Sequence, residues 1–167
     1  GVVVPLDKDL TGIEIGNRRK RSEVDAIILS KKMEKKTMAA LEDAGGLVKV
    51  RINMDADEDS DGVLSWDRLL RKGAALIEDG NREFLDAVID REAMCVLLFT
   101  SGTTGMAKGV MLSHKNISAN VYNMSKYVKI RQPGGGLSVL PMHTTYELTC
   151  PVLTGLFHGM FVATYAG

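Results

Sequence analysis

The sequence predicts an α/β fold: a mainly parallel sheet with flanking helices, plus one antiparallel strand pair. Three observations carry this. Short apolar runs bounded by turn residues recur at 2–6, 26–29, 47–52, 94–99, 110–112, 137–140 and 161–165, and runs of that length read as buried strands. Segments of helical length lie between several of them, a pattern that calls for a sheet covered by helices on both faces. Between Phe99 and Val110, however, only about ten residues intervene, too few for a helical crossover and enough for an antiparallel pair with a long tip.

Taken in order, the run at 2–6 opens the chain as a strand. Thr11 and Glu14 stand at the spacing of a capping box and start the first helix. After the strand at 26–29, Ser30 is placed to cap a second helix, which runs from about 31 to 42 before Gly45-Gly46. The strand at 47–52 leads into an acidic stretch, 55–61. A third helix carries Trp66, Leu69, Leu70 and Ile77 on one face and stops at Gly80, placed as a C-terminal cap glycine should be. The strands at 94–99 and 110–112 make the antiparallel pair. In the helix after His114, Ile117, Val121, Met124 and Val128 recur at four, three and four, an apolar stripe. The runs at 137–140 and 161–165 complete the sheet.

With 167 residues, 45% hydrophobic and 25% charged, the chain can bury a substantial core. Basic and acidic residues balance at 21 each, so no global field draws in nucleic acid or an acidic membrane. Cys95 and Cys150 lie far apart with no CxxC spacing and read as reduced residues of a cytoplasmic protein. No apolar run approaches the roughly 18 residues of a membrane span, and no signal-peptide pattern is present. Both ends are strand-like rather than polar. The expectation is a piece cut from a longer protein, whose exposed apolar faces let copies of it associate.

Three motifs carry chemistry. Residues 57–68 fit a calcium loop at Asp57, Asp59 and Asp61, with Gly62 sixth and Leu64 eighth. The twelfth position, which needs a bidentate glutamate, is Arg68, and the preceding run reads as strand rather than helix. The favoured reading is a solvated acidic connection that caps the next helix through Ser65, and no metal site is assigned. The basic run Arg18-Arg19-Lys20-Arg21 lacks interleaved aromatics and reads as a solvated helix face.

The third motif, Thr100-Ser101-Gly102-Thr103-Thr104-Gly105-Met106-Ala107-Lys108-Gly109, is the informative one. It is neither the GxxxxGK[ST] phosphate loop nor the GxGxxG of a dinucleotide fold. Gly102 and Gly105 let consecutive backbone N–H groups turn toward an anion. Thr100, Ser101, Thr103 and Thr104 add hydroxyl donors, and Lys108 adds a compact positive charge suited to phosphate oxygens. Each charge-assisted contact of this kind is worth about 1.5–3 kcal/mol, so several together can seat a polyphosphate.

From Phe99 through His114 this stretch closely resembles the signature loop of the adenylate-forming, AMP-binding enzymes, among them acyl-CoA synthetases, luciferases and peptide-synthetase adenylation domains. Residues 1–8 resemble an early strand and turn of the same family. Leu140-Pro141-Met142-His143-Thr144-Thr145-Tyr146-Glu147 resembles its next motif in the version seen in fatty acid CoA ligases. Two positions depart from the pattern. Ala107 stands where many members carry proline, and Thr144 where many carry histidine, with His143 one place earlier.

The resemblance implies that residues 1–167 are part of the large N-terminal AMP-binding domain of an acyl-CoA-synthetase-like fold, without the mobile C-terminal domain. It implies a fatty acid CoA ligase that takes ATP with Mg2+, a carboxylic acid and coenzyme A; a carrier protein as acceptor, or a non-catalytic phosphate- or calcium-binding module, are the alternatives. Thr100, Ser101, Gly102, Thr103, Thr104, Gly105 and Lys108 would bind the ATP phosphates. His143, Thr144, Tyr146 and Glu147 would lie in the substrate region. The catalytic lysine, the magnesium-binding glutamate and the ribose-binding aspartate would follow residue 167, leaving the fragment itself inactive.

Overall fold

The computed structural model describes residues 1–46, 48–100, 107–129 and 134–165. The chain divides into two compact units, Lys8–Ile89 and a second formed by Gly1–Asp7 with Asp90–Gly167.

The first unit contains α1 (Gly12–Ser22), β1 (Ala26–Leu29), α2 (Lys31–Asp43), β2 (Val50–Asn53), β3 (Leu64–Ser65) and α3 (Trp66–Glu78). The strands form a parallel sheet in the order β1-β2-β3, with Ala26 opposite Val50 and Ile52 opposite Leu64. Helix α1 opens on the predicted box: Thr11 Oγ1 accepts from Glu14 N–H, and Glu14 Oε2 accepts from Thr11 N–H at 2.8 Å. Leu10, Ile15 and Ala40 bury together between α1 and α2.

Ser30 holds the extended backbone of an N-cap, but its side chain makes no cap bond. Asp55, after β2, supplies the acceptor instead, its Oδ2 2.7 Å from Lys31 N. A carboxylate brought by tertiary structure suits the positive end of the helix better than a neutral hydroxyl. The second strand lies at Val50–Asn53 rather than 47–52; Leu47 is outside the described residues. Lys49, just before it, pairs with Asp25 at 2.7 Å. The hydrogen bond between them, and then their charges, hold the Asp25 carboxyl below its ordinary range and raise the Lys49 ammonium. Both groups are solvent-exposed, so the pair is screened and weak.

Helix α3 ends as Gly80 foretold. Gly80 takes φ +85°, Gly80 N–H donates to Ile77 O, and Asn81 N–H donates to Leu76 O, the paired bonds that close a helix through a left-handed residue. Its apolar residues Trp66, Leu70 and Ile77 remain exposed.

The second unit contains β4 (Met94–Thr100), β5 (Lys108–Ser113), α4 (His114–Tyr127), β6 (Gly135–Ser138), α5 (Thr145–Glu147), a π-helical stretch (Leu148–Leu153), α6 (Thr154–Phe157) and β7 (Phe161–Thr164). β4 and β5 are antiparallel, as expected; β6 and β7 are parallel. Cys95, Val96 and Leu98 form the buried core, with Leu112 and Ile117 packed on it. Ser113 and Asn116 make a reciprocal cap that starts α4, whose stripe buries Val121 and ends at Met124; Val128 already lies in extended backbone beyond the helix.

The run at 2–6 does not form a full strand. Val3 alone bridges Val96, its N–H donating to Cys95 O and its C=O accepting from Leu97 N–H, while Pro5 has no N–H to extend the ladder. Likewise β6 begins at Gly135 rather than Leu137. Its ladder closes where Ser138 O accepts from Tyr165 N–H, and Pro141 cannot donate beyond it. In the helical run from Thr145 to Phe157, Pro151 removes one backbone donor, and the π-helical stretch forms around it.

Candidate functional site

The glycine and hydroxyl loop is the tip of the β4–β5 pair. β4 buries Cys95, Val96 and Leu98, and Leu112 of β5 packs against them with Ile117 of α4. The antiparallel register runs Val96 to Leu112, Leu98 to Val110 and Phe99 to Gly109, and it ends with Thr100 opposite Lys108. Thr100 Oγ1 lies 3.5 Å from Lys108 O, so the pairing persists to the base of the tip. Both Thr100 and Lys108 are exposed. Ser101, Gly102, Thr103, Thr104 and Gly105 lie outside the described residues. What is described is the frame: two strands, the first anchored in a core, that bring Thr100 and Lys108 into register at their end.

The second predicted cluster, His143, Thr144, Tyr146 and Glu147, occupies the start of α5 in the same unit, and its members take different positions. Thr144 is the N-cap: its Oγ1 accepts from Glu147 N–H at 3.4 Å and donates to Pro141 O at 2.9 Å. His143 Nε2 stands 3.6 Å from Asp7 Oδ2, a residue of the N-terminal segment. Tyr146 is exposed, together with Leu140 and Met142 of the preceding loop. Glu147 points inward. It is 2% exposed and accepts from Ser138 Oγ at 2.5 Å.

Sequence reasoning missed Ser138 and Asp7, since neither belongs to a motif and both meet the cluster through tertiary structure. Farther along the helix, Thr149 is buried, receives Asn120 Nδ2 at 3.1 Å and donates to Thr145 O. That contact ties α4 to the π-helical stretch.

The acidic stretch is built as a turn. Ser60 and Val63 exchange both backbone hydrogen bonds, and Asp61 and Gly62 between them take φ +50° and +72°. Positive φ at both central residues is the type I′ hairpin turn that Asp-Gly favours, which accounts for the part of the calcium pattern at Asp61-Gly62. Asp59 accepts from Ser65 N–H at 2.8 Å and from Arg68 Nη1 at 2.7 Å. Arg71 reaches Glu58 and Asp57 O, and Arg51 reaches Asp61 O. Arg68, the residue at odds with a calcium loop, is thus the partner of its third position. Among the described residues, no group of three or more His, Cys, Asp or Glu is arranged to hold a metal ion. Among the same residues, no helix is long and apolar enough to cross a membrane.

The chain is similar to a chloroplastic long-chain-fatty-acid–[acyl-carrier-protein] ligase of Arabidopsis thaliana, with 39% identity over 66 residues, covering 40% of this chain and 9% of that protein. It is similar also to a peroxisomal long chain acyl-CoA synthetase of the same plant, with 36% identity over 105 residues, covering 63% of this chain and 14% of the relative. The chain therefore spans only a small part of the length of these curated relatives. Its fold is that of ATP-bound MatB from Rhodopseudomonas palustris, with a TM-score of 0.70 at 24% identity over 99% of this chain and 30% of that one. The AMP-binding enzyme family matches from residue 1 to residue 167, and the chain belongs to that family.

Proposed function

We propose that residues 1–167 are part of the N-terminal AMP-binding domain of a longer fatty acid CoA ligase. In this reading the full-length parent binds ATP, a carboxylate oxygen attacks the α-phosphorus, and the bond to pyrophosphate breaks to give an acyl-adenylate. The sulfur of coenzyme A then attacks the acyl carbon and AMP leaves.

The observation that carries the reading is the register of β4 and β5, in which Thr100 and Lys108 stand opposite each other at the base of the glycine and hydroxyl loop. Thr100, Ser101, Gly102, Thr103, Thr104, Gly105 and Lys108 are proposed to hold the β- and γ-phosphates. Preorganised donors of this kind stabilise the charge that develops on departing pyrophosphate. Magnesium enters with ATP as part of the substrate complex, and no residue of this chain is assigned to it. His143, Thr144, Tyr146 and Glu147 are proposed to belong to the substrate region, Thr144 by capping α5, Tyr146 by meeting the acid from its exposed position, and Glu147 by lying buried behind them. The relatives named for a carrier protein and for acyl-CoA support an acyl substrate equally, so the thiol acceptor rests on the likeness of residues 140–147 to fatty acid CoA ligases. Two free cysteines support a cytoplasmic setting.

The test is acid-dependent exchange of labelled pyrophosphate into ATP by the full-length parent, over fatty, aromatic and amino acids. Exchange driven by fatty acids is expected, with none from the 167-residue chain alone. Absence of exchange with every acid would overturn the assignment. Exchange driven only by another class would replace the substrate, and turnover by the 167 residues would refute their proposed inactivity.

A further inference from the structure

The fold contains an internal comparison. Thr11-x-x-Glu14 and Thr144-x-x-Glu147 have the same spacing, and each threonine caps a helix by accepting from the N–H of its glutamate. In the first pair the glutamate completes the box by accepting from Thr11 N–H. In the second it does not. Thr144 N–H donates to Pro141 O instead, and the Glu147 carboxyl is turned into the protein to accept from Ser138 Oγ.

Both partners are buried, Glu147 at 2% and Ser138 at 3% exposure. A carboxyl group taken out of water is costly unless hydrogen bonds replace its hydration, and here a local return bond available on the surface is given up for a tertiary one. The geometry has one mechanical effect. Ser138 ends β6 and Glu147 lies in the first turn of the following helix, so their bond closes residues 139–146 into a loop pinned at both ends. Within that loop Leu140, Met142 and Tyr146 face outward.

We infer that Glu147 is a positioning residue, which acts through Ser138 to hold the loop 139–146 in the shape that the acid meets, and does not itself touch the acid. This rests on the proposed reading that residues 143–147 belong to the substrate region, with Tyr146 meeting the acid. Because the bond needs only an acceptor on residue 147, glutamine can serve and alanine cannot.

The experiment uses the full-length parent and measures the dependence of pyrophosphate exchange on acid and on ATP separately. The variants are Ser138→Ala, Glu147→Gln, Glu147→Ala and the double variant Ser138→Ala with Glu147→Ala. Expected is a rise of about tenfold in KM for the acid in Ser138→Ala and in Glu147→Ala, with KM for ATP within about twofold of the unaltered enzyme. The double variant should be no worse than either single one, and Glu147→Gln should stay close to the unaltered enzyme. Loss of exchange in Glu147→Gln as complete as in Glu147→Ala would overturn the inference, since the carboxyl itself would then act on substrate. Additive effects in the double variant would overturn it too. If Glu147→Ala fails to fold, the comparison of Ser138→Ala with Glu147→Gln decides in the same terms. If the unaltered parent shows no exchange, the proposed function fails, and amide hydrogen exchange of residues 139–146 tests the pinning alone: faster exchange in Ser138→Ala supports it and unchanged exchange refutes it.

Discussion

At Lys108 the backbone and the charge can be separated. Its Cα is held by the register with Thr100, while its ammonium extends from an exposed strand end, so Lys108→Ala removes the charge and leaves the strand. In the full-length parent this substitution should lower the rate of acid-dependent pyrophosphate exchange by about tenfold to a hundredfold, the loss of one charge-assisted contact, with an unchanged circular dichroism spectrum. An unaltered rate would remove Lys108 from the phosphate site. At this scale the sequence spoke clearly where one residue's own chemistry decides. The capping box at Thr11 and Glu14 and the left-handed closure at Gly80 are local geometry, and local spacing reveals them. Ser30 was misjudged by the same rules, because Asp55 displaces it as a cap, and the bond between Ser138 and Glu147 left no mark in either residue's neighbourhood. In both cases the partner comes from another element, and spacing along the chain contains no record of it.

Among the elements, the joint between the acidic turn and α3 depends on one side chain. Ser65 is fully buried; its Oγ accepts from Arg68 N–H to cap α3 and donates to Ala56 O at 2.6 Å. Ser65→Ala removes a cap and takes from the Ala56 carbonyl its hydroxyl partner. A loss of about 1–3 kcal/mol is expected, read as a lower urea midpoint. A variant as stable as the unaltered protein would show that the joint is held by the Asp59 contacts instead. The elements themselves were largely legible, because apolar runs and glycine punctuation are properties of short windows. Their edges were less so. β6 slides toward Gly135 and the run at 2–6 shrinks to a single bridge at Val3, since ladder length is set by partners and by prolines as well as by apolarity. The hydrophobic face of α3 was legible as a face, but sequence periodicity does not say whether anything packs against it.

For the molecule as a whole, that face matters. Trp66, Leu70 and Ile77 on α3 and Phe84, Leu85 and Val88 after it are exposed, an apolar surface that supports the proposed association of copies of this chain. Sedimentation of the 167-residue chain is expected to show mass rising with concentration, and Leu70→Glu with Ile77→Lys should move it toward monomer. A clean monomer across the range would refute the association. The bridge between Val3 and Val96 has a further effect, on the order of events in folding. It closes a loop of about ninety residues, within which the whole Lys8–Ile89 unit lies. During synthesis that unit can complete its own contacts while residues 1–7 wait for β4 to emerge. Residues 1–7, though they precede that unit, should therefore be secured after it, and pulsed amide labelling during refolding should find Val3 N–H protected after the amides of α1 and α2; earlier protection would reverse the sequence. Order along the chain and order of assembly would in this way differ at Val3.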